Sequence, residues 1–128
     1  MQKFIFTLTF FWAISGSEAD TQDLKRNIRS AVQRGDLGLL RKYINYVNLN
    51  PIKLDNRHGY KMLAVACWAG QDRVVKFFLD HGADINCINE VKSGRLTALD
   101  VTMISNQYAI AEYLKTKGAK SFSDLECQ

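Results

Sequence analysis

The chain has 128 residues, of which 47% are hydrophobic and 23% charged, and its formal net charge is +4 at pH 7. This composition predicts one small globular domain and argues against a disordered chain or a spanning membrane protein. The basic excess is dispersed rather than gathered into a stripe, so we expect no nucleic-acid partner and favour a protein partner that is acidic on its contacting surface.

The first nineteen residues have the features of a secretory signal peptide. Lys3 precedes an apolar run from Phe4 to Ile14, and Ser17-Glu18-Ala19 places small residues before a cleavage point. The run is shorter than the about 20 apolar residues that a spanning helix needs. We therefore expect an exported protein, periplasmic or secreted, whose mature chain runs from Asp20 to Gln128 without stable membrane insertion. An uncleaved anchor is the alternative.

From residue 24 onward one pattern of eight residues occurs three times. Its first residue is apolar, its fourth is small, its fifth is apolar and its eighth is a turn residue. The three copies are residues 28–35, 63–70 and 99–106. A second amphipathic segment follows each copy, which predicts two short helices per unit. The turn between the helices falls at residues suited to a left-handed backbone, namely Gly35, Gly70 and Asn106.

Two polar segments rich in turn residues, 50–60 and 86–96, indicate hairpin-like loops between the units. Helix pairs this short cannot bury their apolar faces alone, so consecutive units must stack. The sequence therefore predicts an all-α solenoid over residues 20–120, followed by a C-terminal tail over 121–128. The predicted repeats are about 24–54, 55–88 and 89–120.

Residues 59–86 (GYKMLAVACWAGQDRVVKFFLDHGADIN) resemble an ankyrin repeat, whose pattern is G-x-T-P-L-H-x-A-A-x-x-G-H-x-x-V-V-x-L-L-L-x-x-G-A-D-x-N. Residues 97–120 resemble a closing repeat of that family, and residues 24–50 a degenerate opening one. The resemblance implies a protein without catalytic activity or cofactor. It also implies that a partner protein is bound along the hairpin tips and the concave face formed by the first helix of each repeat.

The helix starts of the middle and third repeats differ. Lys61-Met62-Leu63-Ala64 stands where the family has Thr-Pro-Leu-His, so the middle repeat lacks a threonine cap that contributes about 1 kcal/mol. The third repeat keeps Thr97, and Asp100 is placed to complete a capping box. The loop before it is about three residues longer than the family period, around residues 90–95, and either partner binding or surface drift explains the extra length.

Candidate contact residues lie at the hairpin tips and on the first helices, because Trp, Tyr and Arg are enriched at binding hot spots. We expect Val65, Trp68 and Ala69 to lie outside the core face of the middle first helix. The candidates are Arg57, His58, Tyr60, Trp68 and Ala69, with Lys92, Arg95, Ile104 and Ser105 one repeat on and Gln33 and Arg34 one repeat back. Packing of Trp68 against the neighbouring repeat, and covering of the stack by Tyr60, are the alternatives.

The residues do not favour catalysis or metal binding. Cys67 holds an alanine position of the family's core, where a cysteine behaves as a small hydrophobe rather than as a nucleophile beside His58 or His81. His58, His81, Cys87 and Cys127 lack the paired spacing of a zinc site. We expect His81 to meet the carbonyls at its helix end. A thiol- or metal-dependent enzyme is the remote alternative.

Export would expose the three cysteines to an oxidising compartment. If Cys67 is buried, Cys87 and Cys127 either form a bridge that pins the C-terminus or stay free thiols. The sequence thus indicates an exported, non-catalytic protein-protein interaction module that acts as a periplasmic accessory or inhibitor. An exported effector that acts on a host protein is the alternative.

Overall fold

The computed structural model describes residues 18–44 and 51–126. The predicted signal peptide lies outside these ranges except for Glu18 and Ala19, and Cys127 lies outside them too. The first helix begins at Glu18, just ahead of the predicted cleavage point. None of the helices in the described ranges is both long enough and apolar enough to cross a bilayer.

Three helical hairpins follow one another along the chain. Their helices are α1 (Glu18–Arg34) with α2 (Leu37–Tyr43), α3 (Met62–Trp68) with α4 (Asp72–Asp80), and α5 (Ala98–Ile104) with α6 (Tyr108–Thr116). The hairpins are connected by segments that contain a 3-10 turn (Pro51–Lys53) and the antiparallel strands β1 (Asn89–Val91) and β2 (Gly94–Leu96). A last helix, α7 (Phe122–Glu126), follows the third hairpin. The first helices stack α1 on α3 and α3 on α5, and α2 contacts α4. The predicted all-α repeat solenoid is confirmed.

The turns inside the helical hairpins adopt the predicted left-handed backbone. Their φ angles are +80° at Gly35, +74° at Gly70 and +62° at Asn106. At the two glycines a side chain of the next repeat fills the space that a β-carbon would take, Gln71 beside Gly35 and Gln107 beside Gly70. Glycine is therefore favoured at these two turns, because a β-carbon would strain the left-handed backbone and displace the end of a glutamine side chain.

A continuous apolar core runs through the three repeats, and Ile28, Met62, Phe78 and Leu114 are among its fully buried side chains. The prediction that Val65 lies outside this core is wrong, because Val65 is only 7% exposed and belongs to the core cluster. The reason is the central place of α3, which contacts α1, α4 and α5. A helix that is covered on several sides buries more than one face.

The first helix of the third repeat is capped within its own sequence. The Thr97 hydroxyl accepts from the Asp100 N–H, and the Asp100 carboxylate accepts from the Thr97 N–H at 3.0 Å, which confirms the predicted capping box. The same carboxylate accepts from the N–H of Phe122 at 2.9 Å. Part of the predicted tail is thus a short helix, α7, that is tied to the start of α5.

The first helix of the middle repeat has no side-chain cap from Lys61, as predicted. Its N-terminus is stabilised from the next repeat instead. The Asn89 side chain accepts from the Lys61 N–H at 2.7 Å and donates to the Leu96 carbonyl at 3.0 Å. Asn89 is only 2% exposed, so one buried amide joins α3 to the β-hairpin that follows it in sequence.

Candidate functional site

The segment between the first and middle repeats ends in a tight loop, residues 55–61, that we call the first finger. The side-chain oxygen of Asn56 accepts from the backbone N–H groups of His58 and Tyr60 at 2.9 and 3.0 Å. The Asn56 N–H in turn donates to the Tyr60 carbonyl at 2.8 Å. These bonds fix the loop backbone and leave the Arg57 and His58 side chains exposed at its tip.

The first finger is also fixed to the helices around it. The Arg29 guanidinium on α1 donates to the Asp55 carbonyl at 2.9 Å. At the base of the loop Asp55 pairs with Lys61, both through a β-bridge and through an ion pair of 3.7 Å. The finger is therefore held between the first repeat and the start of α3.

The second finger, residues 89–96, is the β-hairpin formed by β1 and β2. Glu90 and Arg95 are partners in its register, and their side chains form an ion pair of 3.3 Å. Lys92 and Ser93 form the exposed tip between the strands. The extra loop length predicted around residues 90–95 is thus used to build an ordered hairpin.

The two fingers touch through their backbones at Gly59. This residue has φ +90°, and a β-carbon added to it would collide with the carbonyl oxygen of Glu90. No other residue type allows this approach without a shift of the backbone. Gly59 therefore brings the tip of the first finger beside the strands of the second.

A groove of about 430 Å³, which we call the apolar groove, lies between the first finger and the end of α3. Tyr60, Val65, Trp68 and Ala69 provide its apolar walls. Trp68 is 53% exposed, so this large residue is only half covered by the rest of the protein. The lining is completed by the polar side chains Gln33, Asn56 and His58.

A second cavity of about 520 Å³, which we call the basic pocket, lies between the two fingers. Its lining residues are Arg57, His58, Tyr60, Val91, Lys92 and Ser93. His58 and Tyr60 line both cavities, so the apolar groove and the basic pocket adjoin along these two side chains. They form one continuous surface with an apolar and a cationic half.

The structure brings seven of the eleven predicted contact residues to this surface. They are Arg57, His58, Tyr60, Trp68, Ala69 and Lys92, together with Gln33 of the first repeat. Arg95 is paired with Glu90, and Ile104 and Ser105 line neither cavity. Ile104 is nevertheless 55% exposed at the position equivalent to Trp68. The remaining candidate, Arg34, forms an ion pair with Asp36 at 3.6 Å.

Three residues that shape this surface were not among the predicted contact residues. Asn56 organises the first finger, Gly59 brings the fingers together, and Val65 forms part of the apolar wall. Asn56 carried a usable signal, because asparagine side chains often bond backbone N–H groups two or more residues on. Gly59 carried none, since its partner Glu90 is distant in the sequence.

The described cysteines and histidines lie in different environments. Cys67 is fully buried, and burial raises the pKa of its thiol to about 12. Partial burial likewise raises the pKa of the Cys87 thiol. The ring of His81 contacts the Phe77 carbonyl at 2.8 Å, which confirms its predicted position at the helix end. Within residues 18–44 and 51–126, no three His, Cys, Asp or Glu side chains are placed to hold a metal.

The predicted bridge between Cys87 and Cys127 stays a prediction, because Cys127 lies outside the described residues. In the structure the Cys87 thiol is free and half-buried.

The chain belongs to the ankyrin-repeat family, since residues 28–123 match ankyrin repeats in three copies. Ankyrin repeats suggest a protein-interaction module. No curated protein matches the sequence significantly.

Among solved structures, the fold is similar to a chain in the complex of the predatory endopeptidase Bd0816 from Bdellovibrio bacteriovorus with immunity protein Bd3460. The TM-score is 0.61 at 24% identity, and the likeness covers 73% of this chain and 46% of that chain. The protein thus spans less than half of the chain it resembles, and a likeness at this identity concerns the fold.

Proposed function

We propose that the protein is an exported, non-catalytic module that binds one partner protein through the apolar groove and the two finger tips. The observation that carries this proposal is the half-exposed ring of Trp68 beside Tyr60 in a single groove. Exposed apolar surface gathered in a concavity marks interaction sites, and aromatic anchors dominate the binding energy of interfaces.

Much of the groove wall is carried by backbone that helix and loop hydrogen bonds hold in place. Val65 and Ala69 lie on α3 or directly at its end, and the Tyr60 backbone is fixed by Asn56. Preorganised surfaces lose less conformational entropy on binding than mobile loops do. A partner side chain would therefore meet walls that are already in place.

A role as a periplasmic accessory or inhibitor agrees best with these features. Export is proposed from the pattern of residues 1–19. The likeness to a chain of an endopeptidase–immunity protein complex supports a fold that serves in such assemblies. The buried thiol of Cys67 does not favour an enzyme, because its raised pKa keeps the sulfur protonated and weakly nucleophilic.

Affinity capture from native cells, envelope and medium tests the proposal, with the full-length chain carrying a C-terminal tag. Trp68→Ala should reduce capture of the partner by roughly 30-fold, which corresponds to about 2 kcal/mol for an interface anchor. Met103→Ala is the matched control, since it removes an apolar side chain of similar exposure that lines neither cavity and is not a predicted contact residue. Equal capture by wild type and a folded Trp68→Ala protein would contradict the proposed site.

The compartment is tested by the N-terminus of the protein recovered from the envelope or medium. We expect mass spectrometry to find a chain that begins at Asp20. Recovery of the intact Met1 form from the cytoplasm alone would overturn the proposed export, yet it would leave the binding surface as it is.

A further inference from the structure

The two halves of the binding surface differ in chemistry. The apolar groove offers the rings of Tyr60 and Trp68, whereas Arg57 and Lys92 lie in the basic pocket on the other side of His58. Because the cavities share His58 and Tyr60, one short segment of a partner can reach both. The surface can therefore contact an apolar group and an anionic group of the same segment.

The charges of the two fingers do not cancel. The fingers contain four cations, Arg57, Lys61, Lys92 and Arg95, and two carboxylates, Asp55 and Glu90. Each carboxylate is engaged by one cation, Asp55 by Lys61 and Glu90 by Arg95. Across the described ranges Arg57 and Lys92 form no ion pair, so these two cations are left to bind an anion at the basic pocket.

The fold brings the backbone positions of the two cations to one pocket. Arg57 is on the first finger and Lys92 on the second, and the backbone contact of Gly59 with Glu90 holds the fingers together. Asn56 fixes the loop that carries Arg57. Two like charges that line one pocket repel each other, and a carboxylate between them would relieve that repulsion while accepting bonds from the guanidinium.

We propose that the partner presents one contiguous segment in which an apolar side chain is followed or preceded closely by a carboxylate. The apolar side chain occupies the groove beside Trp68, and the carboxylate lies between Arg57 and Lys92. This inference rests on the proposed function and adds the chemistry of the motif that the surface recognises.

An array of short Gly/Ser peptides tests the motif directly. Each peptide carries one Leu or Phe together with one Asp, Asn or Lys at every spacing up to a helical turn. The full-length protein should bind the best Asp peptide about tenfold more tightly than its Asn counterpart, as expected for a charge-assisted contact. Trp68→Ala should abolish binding of that peptide.

A charge-reversed variant sharpens the test. Arg57→Glu with Lys92→Glu should reverse the preference, so that Lys peptides are retained and Asp peptides are lost. The matched control is Lys42→Glu with Arg73→Glu, which makes the same change in net charge at exposed residues of α2 and α4. This control should keep the preference for Asp, because the effect is local to the basic pocket. Thermal unfolding verifies that each variant is folded.

The outcomes separate this inference from the proposed function. Equal binding of Asp and Asn peptides that still depends on Trp68 would overturn the carboxylate motif and leave the binding module standing. Failure of every peptide to bind would overturn a contiguous motif, even if the full partner is captured from the envelope. Reversal of preference in the remote control variant would show a general effect of net charge and would also overturn the inference.

Discussion

The middle and third repeats begin their first helices by opposite means. In the third repeat Thr97 and Asp100 cap α5 with side chains from the helix start itself. In the middle repeat the Lys61 side chain bonds no N–H of α3. The Lys61 N–H is bonded by Asn89 of the following hairpin, in the role that the Asp100 carboxylate has toward the Thr97 N–H, and we call this bond the shared cap. One helix start is self-sufficient and the other depends on its neighbour.

This difference bears on function because the binding surface belongs to the dependent repeat. Tyr60 lies just before α3 and Trp68 is its last residue, and the N-terminus of this helix is bonded by Asn89. The third repeat therefore supports the site in addition to supplying Lys92. In a short stack, where each repeat contacts only its neighbours, such a shared cap couples the stability of adjacent repeats.

Removal of the shared cap should have the largest effect on stability. Asn89→Ala leaves the Lys61 N–H and the Leu96 carbonyl without their buried partner, which should lower the free energy of unfolding by about 2–3 kcal/mol. Urea unfolding measures this change, with Asn27→Ala on the exposed face of α1 as the control. A loss no larger than that of the control would show that the middle repeat does not depend on the third.

Removal of the self-contained cap should cost less. Thr97→Ala deletes the hydroxyl that accepts from the Asp100 N–H and donates to the Lys120 carbonyl at 2.7 Å. We expect a loss of about 1–2 kcal/mol in urea unfolding. Thr116→Ala, which removes an exposed threonine hydroxyl near the end of α6, serves as the comparison and should change stability little. Equal losses in the two variants would contradict the importance of the cap.

The middle repeat has a neighbour on each side, whereas the third repeat is terminal. They differ at one equivalent position, which is Cys67 in the middle repeat and Met103 in the third. Cys67 is fully buried, whereas Met103 is 46% exposed. Burial raises the pKa of the Cys67 thiol to about 12 in the folded protein. As pH rises, this thiol is therefore deprotonated in the unfolded chain at a lower pH than in the folded protein. The free energy of unfolding should therefore fall above the unfolded pKa of about 8.5, by about 1.4 kcal/mol for each further pH unit.

Stability measured at pH 7.5 and 9.5 checks this slope in wild type and Cys67→Ala. Other groups that titrate in this range contribute to both proteins, so the difference between the two slopes reports the thiol. Parallel pH profiles would mean that Cys67 is less buried than the structure shows.

The smallest effect should come from giving the middle repeat its own cap. Lys61→Thr should add about 0.5–1 kcal/mol if its hydroxyl bonds an N–H in the first turn of α3. The loss of the half-exposed ion pair with Asp55 offsets part of this gain. Lys61→Ala removes the same ion pair without adding a cap. Unfolding of the Thr variant at the same denaturant concentration as the Ala variant would argue against an added cap.

The sequence determined the repeated pattern, the pairing of two helices in each repeat and the turns between them, because these depend on signals only a few residues apart. Apolar periodicity placed the helices, Gly35, Gly70 and Asn106 carried the left-handed turns, and Thr97 with Asp100 formed the predicted capping box. Much of the candidate site was also predictable. Arg57, Tyr60 and Trp68 were found because loop tips and first helices form the exposed face of such repeats.

Only the tertiary structure decided how these parts meet. The bond from the Lys61 N–H to Asn89 and the contact of Gly59 with Glu90 join residues about thirty positions apart, across a repeat boundary. The burial of Val65 likewise depends on which helices surround α3. Local sequence fixes backbone conformation within a repeat, but contacts between repeats depend on the distance and angle at which the repeats stack, and these emerge only when the core packs.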